Sequence, residues 1–515
     1  MNAFSDVLVT FGSPSAPGSQ RLGNRWHHEV DGPGSIWRAA AVPAGPVAHD
    51  RVEHQGWRLW AVGDVFAYRS DTSGPLPRFA RDLADGRADP AALDAHAVVF
   101  GWEEGPRRLH VWTDRLATVH AYVGGPPGRR AVGTYLAAVA EGSARTLDWE
   151  AITGFCGFGF YPADRTMFDD VRILRPATWT TFDDRGTVLS ASRYWDWTYT
   201  PDGHRSDDEL VDEFHDVWQR TIATQFGTRQ VVVPVSGGLD SRTVLAAAVP
   251  ADGSATPWRA RAFTYGYTSG SAEIRISRRV ARARGVEATP FVVEPYLFDR
   301  LGEVEEAVEG FQSVSVARQA GISGPLAAMG DRVVGGHWGD VWFDSAGGSS
   351  SDGSLDSLVE IAHGKFAKRG RQWLLEHLCA PHLVTTPDHV LRSFLRDELG
   401  RLPDLEDPDA MLRALKTDQW SFRWTLASVR AYQLGLPTLL PFYANDVVDF
   451  FQRVPSDRLG GRRLQVAYLR RHHRDLAKVT WQESGMSLFE APWEPAAVLG
   501  RRAVHKAVRT IGRVP

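Results

Sequence analysis

The run Val231-Val232-Val233-Pro234-Val235-Ser236-Gly237-Gly238-Leu239-Asp240-Ser241-Arg242 gathers groups able to hold an anion. Two adjacent glycines, Gly237 and Gly238, let a backbone approach an anion closely and adopt positive φ. A helix beginning near Arg242 would turn free N–H groups and the positive end of its dipole toward a phosphate. Val235 leads into the loop, and Ser236 and Ser241 add hydroxyl donors. Asp240 cannot donate to a phosphate, so its natural part is to hold Mg2+ against one. The ordinary alternative is a glycine-rich strand–helix junction that binds nothing. No GK[ST] follows the glycines, which argues against kinase-like γ-phosphoryl transfer. A second acidic stretch, Gly335-Gly336-His337-Trp338-Gly339-Asp340-Val341-Trp342-Phe343-Asp344, lies downstream.

These loops need a scaffold, and the chain changes its pattern on the way to them. Up to about residue 195 it reads as short strands broken by Gly and Pro: Trp57 to Tyr68, His96 to Glu103, Arg108 to Trp112. Such a pattern predicts antiparallel sheets packed in layers. After Tyr194-Trp195, TYTPDGHRSDD reads as a linker. Beyond it strands alternate with helices. Leu210, Phe214, Val217 and Ile222 recur at helical spacing behind a Ser206-Asp207-Asp208 start signal. Strands are expected at Val231–Val233, Ala262–Tyr265, Pro290–Val293 and Arg332–Val334, with a helix presenting Ile276, Val280 and Ala283 on one face and stopping at Gly285. Alternation of this kind implies a parallel sheet covered on both faces, with ligands at the C-terminal strand ends.

Bulk properties narrow the partners. The 515 residues allow two or three domains, and a formal net charge of −4 argues against general affinity for nucleic acid or an anionic membrane. Two cysteines, Cys156 and Cys379, without metal-type spacing exclude a disulfide framework and a thiolate metal site. With no signal-like start and no long apolar run, a soluble cytoplasmic protein is expected.

The loop Ser236-Gly237-Gly238-Leu239-Asp240-Ser241 resembles the pyrophosphate-binding loop of N-type ATP pyrophosphatases, in the form used by asparagine synthetases and their relatives, β-lactam synthetase, carbapenam synthetase and the lasso-peptide cyclases. Weaker likenesses follow in family order. Gly63-Asp64-Val65-Phe66 resembles the GEIYN strand, and Asp114-Arg115 with His120-Ala121-Tyr122 resembles the "DRxGxxPLYY" hairpin. Gly157 to Pro176 is similar to the segment leading into the synthetase domain, and Pro441-Phe442 with Val447 to Pro455 to the "PFLDxxLVEFxxxLP" helix. The stretch from Gly335 resembles "SGxGxDExFGG". The resemblance implies Asp340 as a second metal ligand, Gly335 and Gly336 as nucleotide contacts, and Thr264, Tyr265 and Gly266 near adenosine, a structural turn being the alternative for these three. Val341 stands where the family has an acid; Asp344 is either a substitute or a solvated loop residue.

Two departures matter. Glutamine-dependent members use an N-terminal Cys, whereas this chain begins Met1-Asn2-Ala3. An amide cannot serve as a thiolate does, so the N-terminal half is expected to be inactive toward glutamine. The family's catalytic lysine loop "WRxKxGF" corresponds to Trp481-Gln482-Glu483-Ser484-Gly485-Met486, with no lysine inside it. Lys478, Arg242 and the run Arg470-Arg471-His472-His473-Arg474 are possible replacements, the alternative for the run being a solvated helix face. His27-His28 reads as a surface pair, Gly347 to Gly353 as a linker or a lid, and the tail from Arg501 as a basic surface helix.

The expected fold is α/β: an inactive Ntn-type αββα sandwich over 1–195, then an ATP-pyrophosphatase-type (adenine nucleotide alpha hydrolase-like) parallel-sheet domain over 205–515 with C-terminal helices closing the cleft. The activity implied is that of an ATP- and Mg2+-dependent ligase joining a small-molecule or peptide carboxylate to an external or internal amine, with Asp240 and Asp340 central. Rivals are an asparagine synthetase using free ammonia and a nucleotide-binding pseudoenzyme. Oligomeric state is not specified by the sequence.

Overall fold

The computed structural model describes residues 6–11, 26–31, 34–39, 51–141, 143–368 and 370–490, and in it the strand at Trp57–Tyr68 forms with the predicted bounds. Its alternation sets the layers around it. Trp60 and Val62 point into one core with Val98, Phe100 and Val111 and with Val7, Val9 and Phe11 from another sheet. Leu59 and Ala61 point the other way, against Leu76, Phe79, Ala80 and Leu83 of a helix.

Two antiparallel six-stranded sheets result. One contains β1 (Asp6–Phe11), β2 (Trp26–Asp31), β3 (Gly34–Ala39), β8 (Tyr122–Gly124), β9 (Ala131–Gly133) and β10 (Val171–Ile173), in the order β10-β8-β9-β1-β3-β2. The other contains β4 (Arg51–His54), β5 (Trp57–Tyr68), β6 (Leu93–Glu103), β7 (Arg108–Thr113), β11 (Thr178–Phe182) and β12 (Val188–Arg193), in the order β12-β11-β7-β6-β5-β4. Helix α1 (Pro75–Ala84) covers the second sheet, and α2 (Leu136–Ala140) lies against β8, where a Cβ on Gly124 would meet Val139 at 3.1 Å. This is the αββα layering expected.

The chain divides into two compact units that are not continuous in sequence. The sandwich unit takes in Met1–Thr198, Leu297–Ala317 and Gly348–Leu434; the other comprises Tyr199–Tyr296, Arg318–Gly347 and Gly435–Pro515. In the first, buried Glu309 accepts hydrogen bonds from the Tyr122 hydroxyl (2.7 Å) and the Leu136 amide (2.7 Å), both residues buried, and pairs with the partly buried Arg430. Arg175 forms a two-pronged pair with Glu398 at 2.9 Å. The glycine-rich stretch read as a linker or lid makes a tight turn at Gly348–Ser350, whose Gly348 amide donates to Asp409 at 3.0 Å.

The second unit holds the parallel sheet: β13 (Gln230–Pro234), β14 (Arg259–Gly266), β15 (Ala288–Val292), β16 (Arg332–Val334) and β17 (Thr438–Leu439), ordered β15-β14-β13-β16-β17. Val231, Val232 and Val233 are fully buried, as a central strand covered on both faces requires. Pro290 sits in the edge strand β15, where its missing N–H costs least. The linker is followed by a helix, Asp207–Phe226, opened by a capping box between Ser206 and Glu209. One expectation fails: the helix Ala272–Ala283 buries Ile274, Ser277, Val280 and Ala281, leaving Ile276 and Ala283 half-exposed. Val280 is on the buried face as expected, and the small residues Ser277 and Ala281 pack beside it in place of Ile276 and Ala283.

Candidate active site

Strands β13 and β16 pair in parallel, Val231 with Arg332 and Val232 with Val333, so the two loops at their C-terminal ends lie side by side. A Cβ on Gly336 would come within 3.2 Å of the Ser241 amide, and one on Gly339 within 2.7 Å of Asp240 Oδ1. Glycine at both positions lets the second loop press on the first.

The helix after β13 starts at Leu239, three residues before the expected position, and its N-cap, Gly238, supplies no side-chain cap. The amides of its first turn are thus turned outward at the positive end of the helix. Neither Gly237 nor Gly238 is in the left-handed region; Gly238 has φ −79°. Positive φ is therefore not why glycines stand there. A Cβ on Gly237 would meet the Gln482 side chain at 2.4 Å, and the Gln482 amide donates to Gly237 O at 3.1 Å. The serine hydroxyls shape the loop: Ser241 Oγ accepts from the Ser236 amide at 3.0 Å, the two Oγ atoms are 2.8 Å apart, and Ser236 Oγ accepts from the Gly238 amide at 3.2 Å. One hydroxyl donates to the other, which leaves the second proton of the pair for a ligand. Val235 is buried under the loop.

Asp240 accepts at Oδ1 from Gln465 Nε2 and from Arg462 Nη1, both at 3.0 Å. Burial raises the Asp240 pKa and the neighbouring Asp340 adds to this, while Arg462 opposes both. Asp340 is exposed at the start of the short helix Gly339–Trp342. Two carboxylates at adjacent strand ends are hard oxygen donors suited to Mg2+, which takes its other ligands from phosphate and water. Among the described residues no group of three or more His, Cys, Asp or Glu is arranged to hold a metal alone. His337 lies beside this pair; burial pushes its pKa down to about 4, and its Nδ1 has no hydrogen-bond partner. Gly335 is buried against Leu440. At the end of β14, Thr264 is buried and Gly266 O accepts from the Val293 amide at 2.9 Å.

The cations proposed from sequence, Lys478 apart, are engaged elsewhere. Arg242 is fully buried and donates to the carbonyls of Leu476 (2.9 Å), Val479 (2.9 Å) and Thr480 (3.1 Å). Arg470 donates to Leu488 O, Arg471 and His472 pair with Asp212, and His473 bonds the Tyr468 hydroxyl. Arg474 lies over the Phe489 ring, and Lys478 is exposed. In the loop expected to carry a lysine, Ser484 Oγ accepts from the Met486 amide at 3.2 Å and Glu483 is exposed. Asp344 accepts the Gly461 amide at 2.9 Å, holding the turn that carries Arg462, and Val341 is buried. Sequence reading missed Arg462, whose one local signal is the Gly460-Gly461 pair before it. His27-His28, by its side chains, the Met1-Asn2 start and the tail from Arg501 lie outside the described residues.

Residues 213–327 match the family model described as asparagine synthase, a stretch that includes the whole Ser236–Ser241 loop and stops short of Asp340. No curated protein matches the sequence. Among solved structures, the allosteric regulatory enzyme of purine biosynthesis aligns at 11% identity and TM-score 0.25, over 57% of this chain and 75% of that one. Glutamine phosphoribosylpyrophosphate amidotransferase from B. subtilis, complexed with ADP and GMP, aligns at 13% identity and TM-score 0.22, over 45% of this chain and 55% of that one. At those TM-scores neither likeness bears on function. The family match rests on the segment that carries the loop, and it is this segment, residues 213–327, that is similar to asparagine synthase.

Proposed function

We propose that the chain activates a carboxylate with ATP and couples it to an amine, without drawing ammonia from glutamine. The observation that carries this reading is the convergence of an uncapped helix start, the Ser236–Ser241 hydroxyl pair and the Asp240–Asp340 carboxylates at two adjacent strand ends. In this scheme a carboxylate oxygen attacks the α-phosphorus of ATP, the bond to the bridging oxygen breaks, and pyrophosphate departs with the electron pair. The amine then attacks the acyl-adenylate carbonyl, AMP leaves, and the amine gives up a proton as the amide forms. The first-turn amides of Leu239–Ala248 and the spare serine proton bind the departing diphosphate, where charge builds. Asp240 and Asp340 would hold Mg2+, which neutralises phosphate charge when bound.

Independence from glutamine is supported by the thiols. Both cysteines are buried, and burial together with Cys379 pushes the Cys156 pKa up to about 12, so Cys156 is not poised as a thiolate nucleophile. A cyclising role, in the manner of β-lactam synthetases or lasso-peptide cyclases, follows if amine and carboxylate belong to one substrate; aspartate with free ammonia is the intermolecular counterpart.

ATP–pyrophosphate exchange over a panel of amino acids and peptides tests the reading. Exchange with at least one carboxylate is expected, with AMP as product. D240N and D340N should each lower it by about 10²-fold or more. ATP binding without exchange for any carboxylate would favour a nucleotide-binding pseudoenzyme, and undiminished exchange in both variants would remove this site from the chemistry.

A further inference from the structure

Arg462 stands in a crowd of carboxylates that the sequence scatters widely. Its guanidinium, mostly buried, donates to Asp240 Oδ1 at 3.0 Å and feels the charges of Asp340, Glu483 and Asp344. Gln465 Nε2 donates to the same Asp240 oxygen at 3.0 Å, so that oxygen is saturated while the arginine remains. A metal cation and a guanidinium cannot share it without strong repulsion. The turn that carries Arg462 is glycine-rich and lies open on one side. Gly461 and Arg462 are both left-handed, at φ 67° and 58°, a Cβ on Gly460 or Gly461 would touch nothing within 4 Å, and one amide–carboxylate bond from Gly461 to Asp344 tethers the turn. A planar, permanently charged fork also matches phosphate oxygens better than any other side chain.

We infer that Arg462 is the diphosphate-binding cation of this site and the stand-in for the metal before nucleotide arrives. Arg462 neutralises Asp240; with a metal–nucleotide complex bound, Asp240 would hold the metal and the guanidinium would pair with the diphosphate. The inference rests on the nucleotide-site reading above. It also accounts for a loop at Trp481–Met486 without a lysine, since the cation comes from the turn before the helix Arg463–His472.

The test uses binding, with the full-length chain. Calorimetry with inorganic pyrophosphate in excess Mg2+, and Mn2+ titration without any phosphate, are run on wild type, R462Q and R462K. R462Q should bind pyrophosphate at least tenfold more weakly and Mn2+ several-fold more tightly, because the competitor for Asp240 is gone; R462K should regain most of the pyrophosphate affinity. These opposite shifts are not what general unfolding produces. Wild-type affinities for both in R462Q overturn the inference. If wild type binds neither ATP nor pyrophosphate, the nucleotide-site reading fails and the inference falls with it. Should R462Q not fold, D344A, which frees the turn, carries the same test: a weaker pyrophosphate affinity supports the inference and an unchanged one overturns it.

Discussion

Trp338 shows what the approach of two acidic loops demands of a single residue. It is 3% exposed, yet its φ is 77°, a region in which a bulky L-residue is strained. The strain has a local cause. Trp338 caps the short helix bearing Asp340, and the chain must reverse there for Gly339 to pass against Asp240 and Phe442. Removing the indole costs packing, on the order of 3–5 kcal/mol for a buried aromatic. Glycine would recover the left-handed penalty of about 1–2 kcal/mol, partly offset by its greater freedom when unfolded. W338G should therefore be less stable than wild type but more stable than W338A, by about 1 kcal/mol in urea unfolding. Equal midpoints for the two variants would mean that the backbone stores no strain at this position.

At the scale of elements, the loop after β13 depends on a segment more than two hundred residues away, and one buried guanidinium joins them. Arg242 collects the carbonyls of Leu476, Val479 and Thr480 with Gly237 O at 3.4 Å, while Gln482 closes over Gly237. Burial lowers its pKa to about 10, which leaves it charged at neutral pH. R242M should leave those carbonyls without a donor and lower stability by about 2–4 kcal/mol. R242K should rescue little, because one ammonium cannot span the fork. Hydrogen exchange at the Gln482 amide should accelerate in both variants; protection as in wild type would show that the clamp is dispensable. This dependence marks the boundary of what was legible in the sequence. The Val-rich strand, its Ser-Gly-Gly-Leu-Asp-Ser turn and the Ser206 cap are local signals, carried by neighbours in the chain, and they were readable. Arg242 as a clamp and Arg462 as the partner of Asp240 are contacts across 222 to 238 residues, with no periodicity to announce them. The helix Ala272–Ala283 was misread for a related reason: Ser277 and Ala281 pack because they are small, and apolar spacing alone did not select them.

Over the whole molecule, the buried titratable groups pull in opposite directions as pH falls. His120 is buried against Phe422 O at 2.6 Å, and burial with nearby Arg430 and Arg423 lowers its pKa to about 3; burial and Arg284 lower His473 to about 2. Between its unfolded value of about 6.5 and those values, each histidine binds its proton only when unfolded, so each costs about 1.4 kcal/mol of stability per pH unit of acidification. Asp114 and Asp418 do the reverse. Burial raises both to about 6, so between about pH 6 and 4 they protonate first in the folded state, and acidification stabilises the fold by a similar amount per group. These two histidines and two aspartates nearly cancel in that window, and His337, lowered to about 4, is opposed by Asp240 and Glu309, whose pKa values burial raises. Below about pH 4 the aspartates protonate in both states while the histidines still do so only when unfolded. The midpoint of urea unfolding should thus stay nearly level from pH 6.5 to 4 and then fall steeply. D114N tests the balance: with one opposing carboxyl removed, the level region should become a slope, stability declining on acidification by about 1.4 kcal/mol per unit more than in wild type. A D114N profile parallel to that of wild type from pH 6 to 4 would mean that Asp114 is not held protonated by its burial.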